Sequence, residues 1–199
     1  MTNEEFQLIE KTTSFQGYFR IDRYRFRHKL FAGAWSGEIS REVFERGHAV
    51  AVLPYDPERD AVLLIEQFRI GALAGKMPAW QVEVIAGIID EGETPEQVAH
   101  REAEEEAACK LEDLMPIAHY LASPGGTSET CRLYCARIDS RSLGGIHGLA
   151  HEHEDIRVTI VPYDEARTML EHGAIGNATA IIALQWLALN REMLRKRWL

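Results

Sequence analysis

The sequence predicts an α/β fold, a mixed sheet with helices on both faces, preceded by a small antiparallel sheet. Three observations lead there. Strand-like and helix-like segments interleave from residue 46 onward, the pattern of helices layered on a sheet. Ser14 to Leu30 mix apolar and basic side chains as an extended strand does, and no helix covers the first 45 residues. A strand, a glycine-bearing loop and an acid-rich helix follow one another between Trp80 and Cys109. The expected organisation is residues 1–45 as an N-terminal antiparallel strand region and 46–199 as one α/β domain.

Ser14 to Leu30 reads as one extended strand, with Phe19, Ile21, Tyr24 and Phe26 alternating with Arg20, Arg23, Arg25 and Arg27. Glu38–Glu45 and His48–Pro54 read as further strands, and Tyr55–Asp60 as a turn before the apolar strand Ala61–Gln67. Phe68–Pro78 is expected to be a loop carrying Arg69, and Trp80–Ala86 a strand. Thr94, Pro95 and Gln97 form a helix start with a capping box, and Val98, Ala99, Ala103 and Ala107 give that helix a small apolar stripe. Strands at Pro116–Leu121 and Thr130–Ile138 flank the turn Ser123–Glu129. A glycine-rich loop, Ser140–Glu154, leads to a strand at Ile156–Val161 and helices at Asp164–His172 and Ala178–Arg197. The uncovered N-terminal sheet has edges that a partner chain would cover.

Composition narrows the function classes. The chain has 199 residues, 46% of them hydrophobic, and a net charge of −9. That charge argues against non-specific nucleic-acid binding and against attraction to anionic membranes. Arginines interleaved with aromatics in 14–30 suit single strands of nucleic acid in a basic protein; here they read as a two-faced strand with solvated arginines. Three cysteines with no CxxC pair point to free thiols in a reducing cytoplasm. The N-terminus is acidic and lacks an apolar signal core, and no apolar run is long enough to span a bilayer.

The helix after Thr94 carries four carboxylates in five positions: Glu102, Glu104, Glu105 and Glu106. Glu102, Glu105 and Glu106 share a helical face, where like charges repel. A hard cation such as Mg²⁺ or Mn²⁺ among them resolves the repulsion, because carboxylate oxygens are hard ligands. His147, His151 and His153 crowd a later loop. With no cysteine beside them, they read as a solvated histidine-rich loop rather than a zinc or nickel site.

Gly87–Cys109, GIIDEGETPEQVAHREAEEEAAC, resembles the Nudix box, G-x5-E-x7-R-E-U-x-E-E-x-G-U with U aliphatic. Gly87, Glu93, Arg101, Glu102, Ala103, Glu105 and Glu106 fall on its fixed positions; Ala108 replaces its glycine and Cys109 its last aliphatic residue. Pro124, fifteen residues past Cys109, and the segments REVFERGHA, LIEQFRI, ASPGGTSE, GIHGLAHEHEDIRV and IIALQWL resemble the ADP-ribose pyrophosphatase subfamily over nearly the whole chain.

The resemblance implies an α/β/α sandwich and hydrolysis of the ADP-ribose diphosphate to AMP and ribose 5-phosphate, with two or three Mg²⁺ ions per site and Mn²⁺ as a substitute. It implies Glu102, Glu106 and the carbonyl of Ala86 as metal ligands, with Glu105 a ligand or helper. Glu93 and Arg101 would form a bracing ion pair, and Arg69 would contact phosphate. Arg41 and Glu42 would contact the adenine, Tyr18 of a second subunit would stack on it, and Ser123 and Glu129 would line the ribose and phosphate region. Glu152 would be the general base and Glu154 a supporting base or ligand. The partners implied are ADP-ribose and a second copy of the chain in a homodimer with shared active sites. Two alternatives stay open: another nucleoside diphosphate-sugar such as GDP-mannose or ADP-glucose, and a non-catalytic ADP-ribose sensor. The complete set of Glu102, Glu105 and Glu106 and the lack of a helix-turn-helix pattern weigh against the sensor.

Overall fold

Gly17 decides how the N-terminal region folds. The chain reverses there, and a Cβ on Gly17 would lie 2.9 Å from the Phe15 ring. The stretch expected to be one strand from Ser14 to Leu30 is therefore two, β1 (Phe6–Gln16) and β2 (Arg20–His28), paired antiparallel, with β3 (Ile39–Glu45) on the far side of β2. Phe15, Phe19 and Ile21 share one parity across the turn, so the period alone gave no sign of the break. The computed structural model describes residues 4–149, 151 and 153–199.

The chain divides into two compact units: residues up to His48 with Tyr120–Thr130, and Ala49–His119 with Cys131–Leu199. In the first, the three-stranded sheet buries Asp22, which takes hydrogen bonds or ion pairs from Lys11 (2.9 Å), Arg20 (3.0 Å) and Thr13 (2.8 Å). The segment 123–130 is clipped to β3: Phe44 N–H donates to the Gly126 carbonyl and the Thr127 hydroxyl to the Phe44 carbonyl, both at 2.8 Å. Ser128 Oγ and Tyr24 Oη both donate to the Glu45 carboxylate.

The second unit is built on a mixed sheet formed by β4 (His48–Asp56), β5 (Ala61–Phe68), β6 (Trp80–Glu83), β7 (Ile85–Ile89), β8 (Leu114–Leu121), β9 (Thr130–Arg137), β10 (Gly145–His147) and β11 (Ile156–Pro162). β4 runs parallel to β9 and antiparallel to β5, and β5 lies between β4 and β11. Side-chain alternation sorts the sheet's two faces. Val50, Val52, Leu63 and Ile65 pack with Val98, Ala99, Ala103 and Ala107 of α2 (Pro95–Ala107). Ala51, Leu53, Tyr55, Val62 and Leu64 point the other way, toward α3 (Tyr163–Glu171) and α4 (Ala178–Trp198). Asp60 closes that side, accepting from Tyr55 Oη and Arg191 Nε at 2.7 Å each. The result is the α/β/α layering expected. Three details differ from the sequence reading. The Phe68–Pro78 loop contains a short helix, α1 (Ile70–Ala74); Trp80–Ala86 splits into β6 and β7, pairing with β5 and β4 respectively; and β10 lies within the 140–154 loop. Among the described residues, no helix is long and apolar enough to cross a membrane.

α2 starts as its sequence dictates: Thr94 Oγ1 accepts from Gln97 N–H, and Gln97 Oε1 accepts from Thr94 N–H at 2.8 Å. Its end is strained. Ala108 sits at φ 45°, ψ 39°, a left-handed conformation that costs an L-residue with a Cβ about 1–2 kcal/mol relative to the ordinary regions. Ala108→Gly is therefore expected to stabilise the protein by roughly 1 kcal/mol, read as a higher urea midpoint at unchanged slope. An unchanged or lower midpoint would contradict the strain assignment.

Candidate active site

α2 presents two faces where it meets β7. Its apolar stripe seats it on the sheet, and Glu106, beside Ala103 and Ala107, is carried down with that stripe to 3% exposure. The buried carboxylate has one backbone donor, Ala86 N–H at 3.2 Å. Burial first, then the charge of Glu102, push its pKa up to about 8. Glu102 stands one turn earlier on the same face, and burial pushes it up to about 7 despite the neighbouring Arg101. Its side chain lies flat across Gly87: a Cβ built there would come within 1.9 Å of Glu102 Oε1. Glycine at 87 is thus a steric requirement for the carboxylate's position.

Arg101 organises the outer side of this face. Its Nε and Nη2 each donate to Glu93 at 3.1 Å, while Nη1 donates to Glu102 at 2.7 Å and Glu105 at 3.4 Å. Glu93 also accepts from Asp90 N–H, so one ion pair ties the loop before α2 to the middle of the helix. Arg69, at the end of β5, is held by Glu83 of β6 through two nitrogens, Nη2 at 2.8 Å and Nε at 3.2 Å. It lies close enough to Glu106 and Glu154 for both charges to favour its cation.

Glu154 closes the end of the 140–154 loop. Its N–H donates to the Leu149 carbonyl at 3.3 Å, and its carboxylate accepts from Leu149 N–H at 3.4 Å and from Gln67 Nε2 at 3.3 Å. Gly148, at φ 101°, makes room: a Cβ there would meet Glu154 Cβ at 2.8 Å. The charge of Glu154 reaches Glu102 and Glu106, raising both. Glu152, the expected base, lies outside the described residues.

The remaining expected residues belong to the first unit. Arg41 joins Phe6, Leu8, Tyr24, Phe26, Val43, Pro124 and Gly125 around a mostly apolar cavity of about 340 Å³. Glu42, next along β3, projects from the opposite face of the strand. Tyr18 is 89% exposed at the β1–β2 turn, edge-on to Phe19. Ser123 is exposed, and its carbonyl accepts from Gly126 and Thr127 N–H at 3.0 Å. Glu129 is largely buried and faces Arg46 at 3.6 Å.

The matching family is the NUDIX domain, over residues 45–184. The chain is 48% identical to the ADP-ribose pyrophosphatase of Escherichia coli (strain K12) over 192 residues, 96% of this chain and 92% of that protein. It is 42% identical to the ADP-ribose pyrophosphatase of Haemophilus influenzae over 200 residues, 99% of this chain and 92% of that one. The chain belongs to the NUDIX family. The crystal structure of an ADP compounds hydrolase superposes with a TM-score of 0.70 at 19% identity, covering 100% of this chain and 98% of that one, and so shares the fold.

NUDIX hydrolases generally use divalent metal ions. The residues here fit such an ion: Glu102 and Glu106 are hard oxygen donors, like-charged and one turn apart, Glu106 buried and Glu102 partly so, with backbone at Ala86 beside Glu106. Among the described residues no three Asp, Glu, His or Cys side chains are grouped to hold a metal.

Three polar groups near these sites escaped the sequence reading. Glu83 looked like an ordinary strand residue, yet it fixes Arg69. Arg46 faces the Phe19 ring at 5.5 Å, and its buried Nε has no hydrogen-bond partner among the described residues. Gln67 is buried beside Glu154. For Gln67 a signal existed: it falls on the inward column Leu63–Ile65–Gln67, where an apolar residue is the default.

A carboxyl with a folded-state pKa raised above its unfolded value gives stability that is fully present below the unfolded value and lost as pH rises through the folded one. For Glu106 that loss runs from the ordinary carboxylate range to about 8. Glu106→Gln removes it. In EDTA, the variant is expected to melt several degrees above wild type at pH 8.5 and close to it at pH 4.5, since about 1 kcal/mol moves Tm by roughly 2–4 °C at this size. Equal melting temperatures at pH 8.5 would contradict the buried-carboxylate assignment.

Proposed function

We propose that this chain is a Mg²⁺-dependent ADP-ribose pyrophosphatase that hydrolyses the diphosphate of ADP-ribose to AMP and ribose 5-phosphate. The observation that carries the reading is the relationship to ADP-ribose pyrophosphatases along nearly the full chain, the N-terminal sheet included, at 48% identity. That relationship extends beyond the box, whose chemistry is diphosphate cleavage of any kind.

The roles proposed are those the family resemblance implies, supported where the site geometry bears on them. Glu102 and Glu106, with the Ala86 carbonyl, hold the metal, and Glu105 and Glu154 stand beside them. When bound there, two or three Mg²⁺ ions, or Mn²⁺ in their place, would supply positive charge at the phosphate oxygens and acidify water. Arg69, kept rigid by Glu83, binds a phosphate oxygen. Arg101 braces the box through Glu93. Glu152 accepts the proton of the attacking water as its oxygen bonds to phosphorus and the bridging P–O bond breaks. The apolar cavity at Arg41 and Pro124 is large enough for a nucleobase. Glu42 and a partner copy's exposed Tyr18 complete the adenine contacts, with Ser123 and Glu129 toward ribose and phosphate. The enzyme works in a reducing cytoplasm, in keeping with three buried free cysteines.

Incubation with ADP-ribose and Mg²⁺ should yield AMP and ribose 5-phosphate in equal amounts by chromatography; ADP-ribose bound but intact would favour a sensor. Glu102→Gln should lower turnover at least about 100-fold with an unchanged circular dichroism spectrum, since losing even an indirect metal contact costs ~10–100-fold. Glu152→Gln should lower it by more than about tenfold. A smaller fall in either variant removes the role assigned to that residue. Shared active sites require a dimer, so light scattering should give twice the 22.6 kDa chain mass, and a monomer mass would rule out sharing.

A further inference from the structure

We infer that Gln67 is a positioning residue, whose side-chain amide holds the Glu154 carboxylate and through it the base of the loop that carries Glu152. The inference rests on the roles proposed above for Glu154 and Glu152.

The column Leu63–Ile65–Gln67–Arg69 points to the α2 side of the sheet and changes character along its length. It begins as hydrocarbon packed against α2 and ends in the guanidinium held by Glu83. Gln67 lies between the two. It is 8% exposed, and its Nε2 donates to Glu154 Oε1 at 3.3 Å. The other carboxylate oxygen of Glu154 accepts from Leu149 N–H at 3.4 Å. One carboxylate thus bridges the sheet floor and the loop backbone, and Gln67 is the sheet end of that bridge. The close approach of Gly148 to Glu154 Cβ keeps the loop pressed on the same side chain.

A second observation separates this role from a structural one. Gln67 Oε1 is buried with no hydrogen-bond partner among the described residues. An unsatisfied buried acceptor opposes folding, and removing it with an apolar side chain of the same shape offsets the loss of the hydrogen bond to Glu154. Half of the amide is therefore unanswered among the described residues, and the hydrogen bond it makes there is with Glu154. By holding that carboxylate, Gln67 keeps Glu154 near Glu102, Glu106 and Arg69, each of which its charge reaches.

Gln67→Met preserves the volume and removes both polar atoms. The metal-free variant is expected to melt at or above the wild-type temperature, while the Leu149 amide exchanges with deuterium faster. With Mg²⁺ and ADP-ribose, kcat should fall about 10–100-fold with KM little changed, and Mn²⁺ affinity should weaken within the same range. In a double-mutant cycle, Gln67→Met should add no further loss to Glu154→Gln. A clearly lower melting temperature would make Gln67 a structural residue and overturn the inference. So would a wild-type kcat for Gln67→Met in the presence of a slow Glu154→Gln enzyme, an outcome that leaves the role of Glu154 standing. If Glu154→Gln itself turns over at the wild-type rate, the role of Glu154 fails and the catalytic part of the inference fails with it. An unchanged Leu149 exchange rate would overturn the anchoring part on its own.

Discussion

A carboxylate placed where the core calls for hydrocarbon is the constraint on which this structure turns. Glu106 is carried into the sheet–helix interface by the same period that buries Ala103 and Ala107, and it has one backbone donor to answer its charge. Glu102 sits one turn away with the same sign. Such a pair takes up protons more readily than exposed carboxylates do, and a cation that joins it favours the ionised form. The neighbouring features set where the pair stands: the capping box that fixes where α2 starts, the Arg101–Glu93 pair that ties loop to helix, and the absent side chain at Gly87.

The cations and amides around the pair are themselves held from behind. Glu83 fixes Arg69, and Gln67 reaches Glu154. Each of these supports comes from β5 or β6, antiparallel neighbours whose register, Ile65 to Glu83 and Gln67 to Gln81, sets where the polar groups fall relative to the apolar ones. The sheet thus acts as a ruler: its hydrocarbon end packs α2, and its polar end faces the acidic cluster. The left-handed Ala108 is a separate case, since that strain lies past the last turn of the helix.

Much of this was legible in the chain. The helix start at Thr94–Pro95–Gln97, the apolar stripe of α2, the strands at β4, β5, β9 and β11 and the two C-terminal helices follow from local periodicity and capping chemistry. The acidic spacing of Glu102, Glu105 and Glu106 is a property of the sequence alone. What escaped was decided by contacts distant in sequence. The break at Gly17 interrupts an alternation that continues on either side of it, so only the pairing of β1 with β2 reveals it. Glu83 and Gln67 look like ordinary strand residues until β6 and the loop at Glu154 come against them.

The sequence by itself determined the family, the layered α/β architecture and the residues that carry charge to the cluster, because these depend on local period, helix capping and the identity of side chains at fixed spacing. Tertiary structure alone decided how deeply Glu106 is buried, that Gly87 must lack a side chain for Glu102 to lie across it, and which partners Arg69 and Glu154 find. The physical reason is that desolvation and steric exclusion are properties of space. They arise only when strands and helices far apart in the chain are brought to within a few ångströms.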